Sequence, residues 1–192
     1  GVTYIGSEAF SGCTALSSII IPESVTSIGS SAFSRCTALS SIVIPEGITD
    51  IAIRMFSDCS ALSSVVIPDS VTSIGSGAFS GCTALSSVVI PDSVTSIGED
   101  AFRGCSSLTN ISVPKGVTRI ESGVFAYCSS LSSIELPYNL DYIAADAFEG
   151  CESLPVENNI IYVGRVAIGV TDKTLSEYTL PENTEVIGAG LF

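Results

Sequence analysis

Seven cysteines are the residues of this sequence with the most chemistry to offer, and one of them, Cys36, directly follows Arg35. A cysteine beside a cation could be a reactive thiol, because a nearby positive charge lowers the pKa of the thiol. A set of cysteines could also bind zinc or form disulfides. The spacing of the cysteines decides which of these chemistries is open to them.

The spacing disfavours all three. There is no His in the chain, and the cysteines recur at one constant, long interval: Cys13, Cys36, Cys59, Cys82, Cys105, Cys128 and Cys151. Zinc sites take ligands that are close together in the sequence, and a cysteine nucleophile needs a neighbouring base. If stacked coils align the cysteines, their Cβ atoms lie about 4.8 Å apart, beyond the ~3.5–4.5 Å of a disulfide. We therefore expect the cysteines to be small, buried apolar residues.

The cysteines belong to a 23-residue repeat that covers most of the chain. Its unit reads A-F-x-x-C-x-x-L-x-x-I-x-I-P-x-x-V-x-x-I-G. The Phe of each unit should stack on its neighbours: Phe10, Phe33, Phe56, Phe79, Phe102, Phe125 and Phe148. Units 24–46 and 70–92 differ at only four positions, which indicates a fairly recent duplication.

A unit this small cannot bury its own apolar residues, so the units must stack on one another. The alternation after each Leu places Ile19 and Ile21 inward and Ile20 outward, as in a strand. Pro22 then ends that strand, because it has no N–H to donate. A second, shorter apolar pair follows, and the A-F-x-x-C segment closes the coil as a helical turn or an irregular loop.

This L-x-x-I-x-I-P and A-F-x-x-C pattern resembles the leucine-rich repeat superfamily, and within it the BspA-like, or Treponema-type, repeats of bacterial surfaces. The resemblance implies a leucine-rich-repeat solenoid of 23-residue units, a curved right-handed coil with a parallel β-sheet on one face and short strands or helical turns on the other. A parallel β-helix is the alternative fold. The usual Asn of the superfamily is replaced here by Ser24, Gly47, Ser70 and Ser93. We therefore expect the asparagine ladder that ties coils together elsewhere to be missing.

The charge balance excludes several classes of partner. The net charge is −13, with 20 acidic residues against 7 basic ones, whereas nucleic acids and anionic membrane surfaces require clustered Lys and Arg. The longest apolar run, residues 160–170, is interrupted by Gly164 and Arg165. It is also shorter than the roughly 18 residues of a membrane span. We expect neither nucleic-acid binding nor membrane insertion of this segment.

Three segments are predicted: regular repeats at 1–154, an irregular hairpin-like unit at 155–174, and a resumed, truncated repeat at 175–192. In the second segment, Gly169 and Asp172 stand where Phe and Cys are expected. Two β-rich runs, one on each side of a turn at Gly164 and Arg165, predict a β-hairpin. This unit is either a hinge or a ligand-contact site. Since the chain starts and stops inside a unit, we expect a longer array, with its signal and anchor outside this segment.

The outward positions supply the candidate contact residues. One column of the main strands consists of Ile20, Val43, Val66, Val89, Ser112 and Glu135. Exposed β-branched residues in line are typical of a protein-binding face, although such residues also simply favour strands. Tyr127, Tyr138 and Tyr142 are predicted to point outward in the last third of the chain. Tyrosine is enriched in binding hot spots, although degenerating repeats also vary at such positions.

The resemblance implies a surface adhesin that binds host matrix proteins and other bacteria. We therefore expect a non-enzymatic extracellular or cell-surface binding module for a protein or glycan, with no cofactor, no metal and no catalytic residue. A structural spacer with no ligand of its own is the alternative. An enzyme is disfavoured because the chain has no His, no nucleophile with a partner base and no glycine-rich phosphate loop with a Lys.

Overall fold

The computed structural model of the chain describes residues 1–164, 166–171, 174–182 and 184–188. These residues form fifteen short strands and no helix. The units stack as a parallel β-solenoid of about six turns with a spacing of about 23 residues, which confirms the predicted solenoid. The sequence expectations for Arg165, Asp172 and residues 189–192 lie outside the described residues.

The longer strand of each turn follows the repeated Leu and ends before the repeated Pro. Four such strands pair in parallel, β3 with β5 and β8 with β10, and each residue pairs with its equivalent in the next unit. The equivalent residues 18–20 and 87–89 are not in strands. The predicted sheet on this face is therefore interrupted. These strands are β3 Ser41–Val43, β5 Ser64–Val66, β8 Asn110–Ser112 and β10 Ser133–Glu135.

A second column of two-residue strands lies after the Pro corner, where the sequence shows its shorter apolar pair. Each of these strands has an outward first residue and a buried Ile. They pair in parallel as β1–β2, β4–β6–β7 and β9–β11, again between equivalent residues of successive units. They are β1 Tyr4–Ile5, β2 Ser27–Ile28, β4 Asp50–Ile51, β6 Ser73–Ile74, β7 Ser96–Ile97, β9 Arg119–Ile120 and β11 Tyr142–Ile143.

The A-F-x-x-C segment is a series of turns. Its N–H groups alternate between two partners: Ser34 N donates to Ser31 O within the turn (3.1 Å), and Phe33 N donates to Met55 O of the next coil (3.0 Å). Ser31 and Arg35 have positive φ, at 56° and 59°. A left-handed residue every fourth position stops a right-handed helix from continuing. Of the two possibilities the sequence leaves open here, the structure contains the irregular one.

Two columns of left-handed residues therefore run along the turn face. A long side chain in either column lies over the equivalent residue of the next coil. That residue is often Gly, because a Cβ there would come too close to the side chain. A Cβ at Gly81 would stand 2.6 Å from Asp58 Oδ1, and one at Gly150 would stand 2.7 Å from Tyr127 Cδ1. The first column comprises Glu8, Ser31, Arg54, Gly77, Asp100 and Gly123, and the second Gly12, Arg35, Asp58, Gly81, Gly104, Tyr127 and Gly150.

The core is built on the predicted column of phenylalanines. Neighbouring rings are stacked with centroids 5.2–5.8 Å apart and planes inclined by 1–20°. The five rings from Phe33 to Phe125 are fully buried. The inward Ile, Val, Leu and Cys residues of the repeat complete one continuous apolar cluster with them. The inward-facing assignment of the repeat is confirmed.

Serines replace the asparagine ladder along the coil corner. No Asn stands at the four positions named from the sequence, and at three of them a serine hydroxyl donates to a backbone carbonyl of the previous coil. In the sixth unit Asn139 stands at the same position and donates to Lys115 O at 3.1 Å. The bonds are Ser24 Oγ to Val2 O, Ser70 Oγ to Ile48 O and Ser93 Oγ to Val71 O, each 2.6 Å.

After residue 155 the regular coil gives way to a small mixed sheet. β13 pairs antiparallel with β12 and with β14, and β14 pairs in parallel with β15. Ile160, Tyr162 and Ala167 form a small apolar cluster of their own beside the main core. The division of the chain into three segments stays a prediction. The strands are β12 Val156–Glu157, β13 Ile160–Val163, β14 Val166–Val170 and β15 Val186–Ile187.

Candidate functional site

The cysteine column lies inside the solenoid, next to the phenylalanine column. All seven cysteines are free thiols; six are buried and Cys13 is exposed. Each buried thiol donates to the backbone carbonyl of the Phe 26 residues earlier, in the neighbouring coil, at 3.0–3.3 Å. The predicted burial is confirmed for six cysteines and is wrong for Cys13, which lies in the first coil. The sequence did not predict these hydrogen bonds, although it shows the constant offset between Phe and Cys of neighbouring units. The thiols therefore tie the coils together.

Burial makes these thiols unreactive. Removal from water raises the pKa of Cys59 and of Cys128 to about 12 and that of Cys151 to about 11. The same cause raises the pKa of Cys82 and Cys105 well above the ordinary range. Because the thiolate is the nucleophile and the metal ligand, the buried members of the column offer neither chemistry near neutral pH.

Arg35 does not activate its neighbour. Cys36 is buried, whereas Arg35 lies on the turn face, exposed, with its Nε 3.9 Å from Asp58 Oδ2. Burial, and next the charge on Cys13, raise the pKa of Cys36. Across the part of the chain that the structure describes, no group of three or more His, Cys, Asp or Glu residues could hold a metal ion.

We expect a thiol titration of the native protein at pH 8 to show one fast thiol, Cys13, and six slow ones. A pKa near 12 leaves about one thiol in ten thousand ionised at that pH. All seven should react at once in denaturant. Ellman's reagent with stopped-flow detection measures both phases, and several fast thiols in the native protein would contradict the packing role.

The predicted contact column on the main strands is exposed along its whole length. Ile20, Val43, Val66 and Val89 have 94%, 62%, 52% and 81% of their surface in solvent. Ser112 and Glu135, next in the column, are exposed as well. We call the four apolar members of this column, Ile20, Val43, Val66 and Val89, the main-strand stripe. Its role in ligand contact stays a prediction.

The three predicted tyrosines do not share a column with the main-strand stripe or with each other. Tyr138 follows Pro137 at the corner of the coil and is 96% exposed. Tyr127 belongs to the second left-handed column of the turn face. Tyr142 lies in β11 on the shorter strand column and is half-buried. The candidate residues thus lie on several faces of the solenoid.

Two of these tyrosines have charged neighbours. The guanidinium of Arg103 lies 4.6 Å from the centre of the Tyr127 ring, and that of Arg119 lies 4.2 Å from the centre of the Tyr142 ring. The Tyr127 hydroxyl donates to Glu149 Oε1 at 2.8 Å, and this bond raises the pKa of Tyr127. One face of each ring is therefore covered within the chain.

A polar groove of about 580 Å³ crosses the turn face, between the two left-handed columns. Its charged side chains include the acids Glu8, Asp58 and Asp100 and the bases Arg35 and Arg54, and serines fill the rest of its wall. Repeated polar turns produce such a groove, which has charges of both signs and no apolar side chains among its described lining residues.

A cleft of about 720 Å³, which we call the hairpin cleft, lies between the last regular coil and the β13–β14 hairpin. Phe148, Leu154, Ile161 and Ile168 are among its apolar lining residues. The sequence marked unit 155–174 as either a hinge or a ligand-contact site but did not predict the cleft, whose shape depends on how the hairpin docks on the coil. Gly169, which stands where the sequence repeat expects Phe, lines the cleft.

A family model described as the BspA type leucine rich repeat region matches the chain in six copies, over residues 1–93 and 54–167. The chain belongs to the BspA-type leucine-rich repeat family. BspA-type proteins are bacterial surface proteins, and leucine-rich repeat proteins are generally non-enzymatic and mediate protein interactions. No described helix of this BspA-type chain is long and apolar enough to cross a membrane.

Solved structures of bacterial leucine-rich repeat proteins resemble this BspA-type chain. The Treponema pallidum protein is 36% identical with a TM-score of 0.76, over 80% of this chain and 72% of that one. The Bacteroides ovatus protein is 34% identical with a TM-score of 0.79, over 97% of this chain and 49% of that one. A third, from Eubacterium ventriosum, is 26% identical with a TM-score of 0.68, over 82% of this chain and 45% of that one. The chain thus spans about half the length of the last two. No curated protein sequence matches it.

Proposed function

We propose that this chain is a non-enzymatic binding module of the bacterial cell surface, of the adhesin type, which presents its main-strand stripe to a protein outside the cell. The observation that carries the proposal is the stripe itself. Four branched apolar side chains, each more than half exposed, recur at one position of successive coils. Soluble proteins rarely leave aligned apolar residues uncovered unless a partner covers them.

Hydroxyl groups border the stripe in the same four coils. Ser18, Ser41, Ser64 and Ser87 stand two residues before each member and are exposed. A dry centre with a hydrogen-bonding rim is the usual arrangement of a protein-binding surface. Tyr127, Tyr138 and Tyr142 extend the proposed contact region into the last third of the chain, with Tyr138 the most exposed of the three.

The test replaces the stripe without disturbing the strands. The variant I20T/V43T/V66T/V89T keeps the β-branched shape but exchanges an apolar branch for a hydroxyl at each site. We expect it to lose at least tenfold in affinity for immobilised extracellular matrix proteins, measured by surface plasmon resonance. Burial of a methyl contributes about 0.8 kcal/mol, so four lost together exceed a factor of ten.

The matched control is S27T/S73T/S96T, which changes outward residues of the shorter strand column. It should bind like the unaltered protein, and both variants should keep its melting temperature within a few degrees. If the unaltered protein binds no matrix protein and no mucin-type glycan, the chain is a spacer and the proposal is wrong. If both variants lose affinity equally, the stripe is not the contact face.

A further inference from the structure

The hairpin cleft interrupts the aromatic column. Phe148 packs on Phe125 at a centroid distance of 5.5 Å on one side. Counted back from Leu175, the repeat position of the next Phe in the sequence is Gly169, which has no side chain, and Phe148 and Gly169 both line the cleft. Rings elsewhere in the column repeat every 5.2–5.8 Å, a spacing typical of stacked aromatic pairs. An aromatic side chain entering the cleft would continue the stack.

The cleft has the size and lining of a ligand site. Its volume of about 720 Å³ falls in the range of about 300–1,000 Å³ that is usual for such sites. Leu154, Ile161 and Ile168 surround the ring position with apolar surface. Apolar pockets on a protein surface are where aromatic hot-spot residues of a partner insert.

The described residues at the rim of the cleft carry negative charge. Asp146, Glu149 and Glu152 all line it, and no described Lys or Arg does. Asp146 accepts one hydrogen bond from Ser122 Oγ and Glu149 one from Tyr127, which leaves each of them a second carboxylate oxygen. The net charge of the chain, −13, adds a long-range attraction for a basic partner.

We propose that the hairpin cleft binds a basic polypeptide segment that inserts one aromatic side chain onto Phe148 and holds its Lys or Arg neighbours at the carboxylates of the rim. The proposed occupant is a protein. This inference therefore deepens the proposed binding function, and it rests on that function for the class of partner. The cleft is a different surface from the main-strand stripe, so the two can be tested separately.

The chain has no Trp, so a peptide containing one supplies a clean signal. The probe is acetyl-Lys-Lys-Trp-Lys-Lys-amide, titrated with the full chain at low salt while its fluorescence is followed. We expect a blue shift on binding, because the indole leaves water. The peptide in which Ala replaces the Trp is titrated by calorimetry and should bind at least tenfold more weakly. The peptide in which Glu replaces the four Lys should also bind at least tenfold more weakly. Binding of the probe should also weaken as salt rises.

The rim variant E149Q/E152Q should bind the probe severalfold more weakly, with an unchanged melting temperature. The matched control D69N/D92N removes two exposed charges far from the cleft and should bind within twofold of the unaltered protein. Absence of a blue shift, equal binding of the Ala peptide, or equal loss in both variants would overturn the proposal.

The stripe variant I20T/V43T/V66T/V89T separates this proposal from the previous one. It should bind the Trp peptide like the unaltered protein, and a tenfold loss in that variant would overturn the assignment to the cleft. Failure of the peptide alone, with matrix binding still dependent on the stripe, rejects only the cleft. If the unaltered protein binds no matrix protein, or if its matrix binding does not depend on the stripe, while the peptide result holds, only the stripe is rejected.

Discussion

Between pH 8 and pH 10 the protein is expected to lose several kcal/mol of its free energy of unfolding. The buried thiols stay protonated in the folded state, because burial raises the pKa of Cys59 and Cys128 to about 12 and of Cys151 to about 11. In the unfolded chain they ionise with a pKa of about 8.5. Their contribution to stability is therefore complete below that pH and is lost as the pH rises toward the folded-state pKa.

The size of the effect follows from the number of thiols. Each thiol that ionises only in the unfolded chain lowers the free energy of unfolding by about 1.4 kcal/mol per pH unit once the pH exceeds its unfolded pKa. Cys82 and Cys105, whose pKa burial also raises well above the ordinary value, behave in the same way. Five such groups change stability by about 7 kcal/mol per pH unit, comparable with the whole stability of a typical domain. Urea unfolding followed by circular dichroism at pH 7, 8, 9 and 10, with reductant present, measures this slope.

The control for the alkaline slope is the double variant C82A/C105A. It lacks two of the five thiols, so its slope above pH 9 should be smaller by about two-fifths. Tyrosine ionisation is the same in both proteins and cancels in the comparison. An unchanged slope in the double variant would show that the thiols do not cause the alkaline loss.

Replacing Phe79 by Ala is expected to cost about 3–5 kcal/mol of the free energy of unfolding. The Phe79 ring is fully buried and packs between Phe56 and Phe102, with centroids 5.5 and 5.4 Å away. Its loss leaves a cavity in the middle of the column. Because repeat arrays are held together by contacts between neighbours, we also expect the two halves of the solenoid to unfold in separate steps. Calorimetry together with urea unfolding measures both effects.

Val89→Ala is the matched control for the core substitution, since it also shortens an apolar side chain in the same stretch of the chain. Val89 is mostly exposed, and surface changes of this kind usually alter stability by less than about 0.5 kcal/mol. A cost below about 1 kcal/mol for Phe79→Ala, or a loss as large for Val89→Ala, would contradict the picture of a core carried by stacked rings.

The regular part of the fold could be predicted because one arrangement recurs in every unit. The constant period places each Phe, Cys and Leu opposite its equivalent in the next coil, so the inside of the solenoid follows from the inside of one unit. The alternation around Ile42 and Val65 correctly predicts which strand residues face outward. The acceptors of the Ser24 and Cys36 bonds were missed because they are backbone carbonyls, which no residue type in the sequence marks.

The candidate site could be predicted only where it depends on the repeat. The exposure of Val43 and Val66 follows from strand alternation. The hairpin cleft does not, because it depends on how far Ile161 and Ile168 stand from Phe148 once the hairpin docks. Arg119 and Tyr142 stand at equivalent positions of neighbouring coils, so the period does place them side by side. Arg103 reaches Tyr127 across 24 residues, an offset that the 23-residue period does not predict.

The two left-handed columns of the turn face also bear on how the gene could change in length. Unequal crossing-over between the near-identical units 24–46 and 70–92 would delete or duplicate the stretch of two units that separates them. A crossover between residue 35 and the end of the first unit would, on deletion, place Asp100 and Gly104 after Ser31 and Arg35. On duplication it would place a second Arg54 and Asp58 after Gly77 and Gly81. Each new junction then has a Ser or a Gly on one side, so no two long side chains compete for the same space. The number of coils, and with it the length of the surface offered to a partner, is free to vary by recombination while the packing of the turn face is preserved.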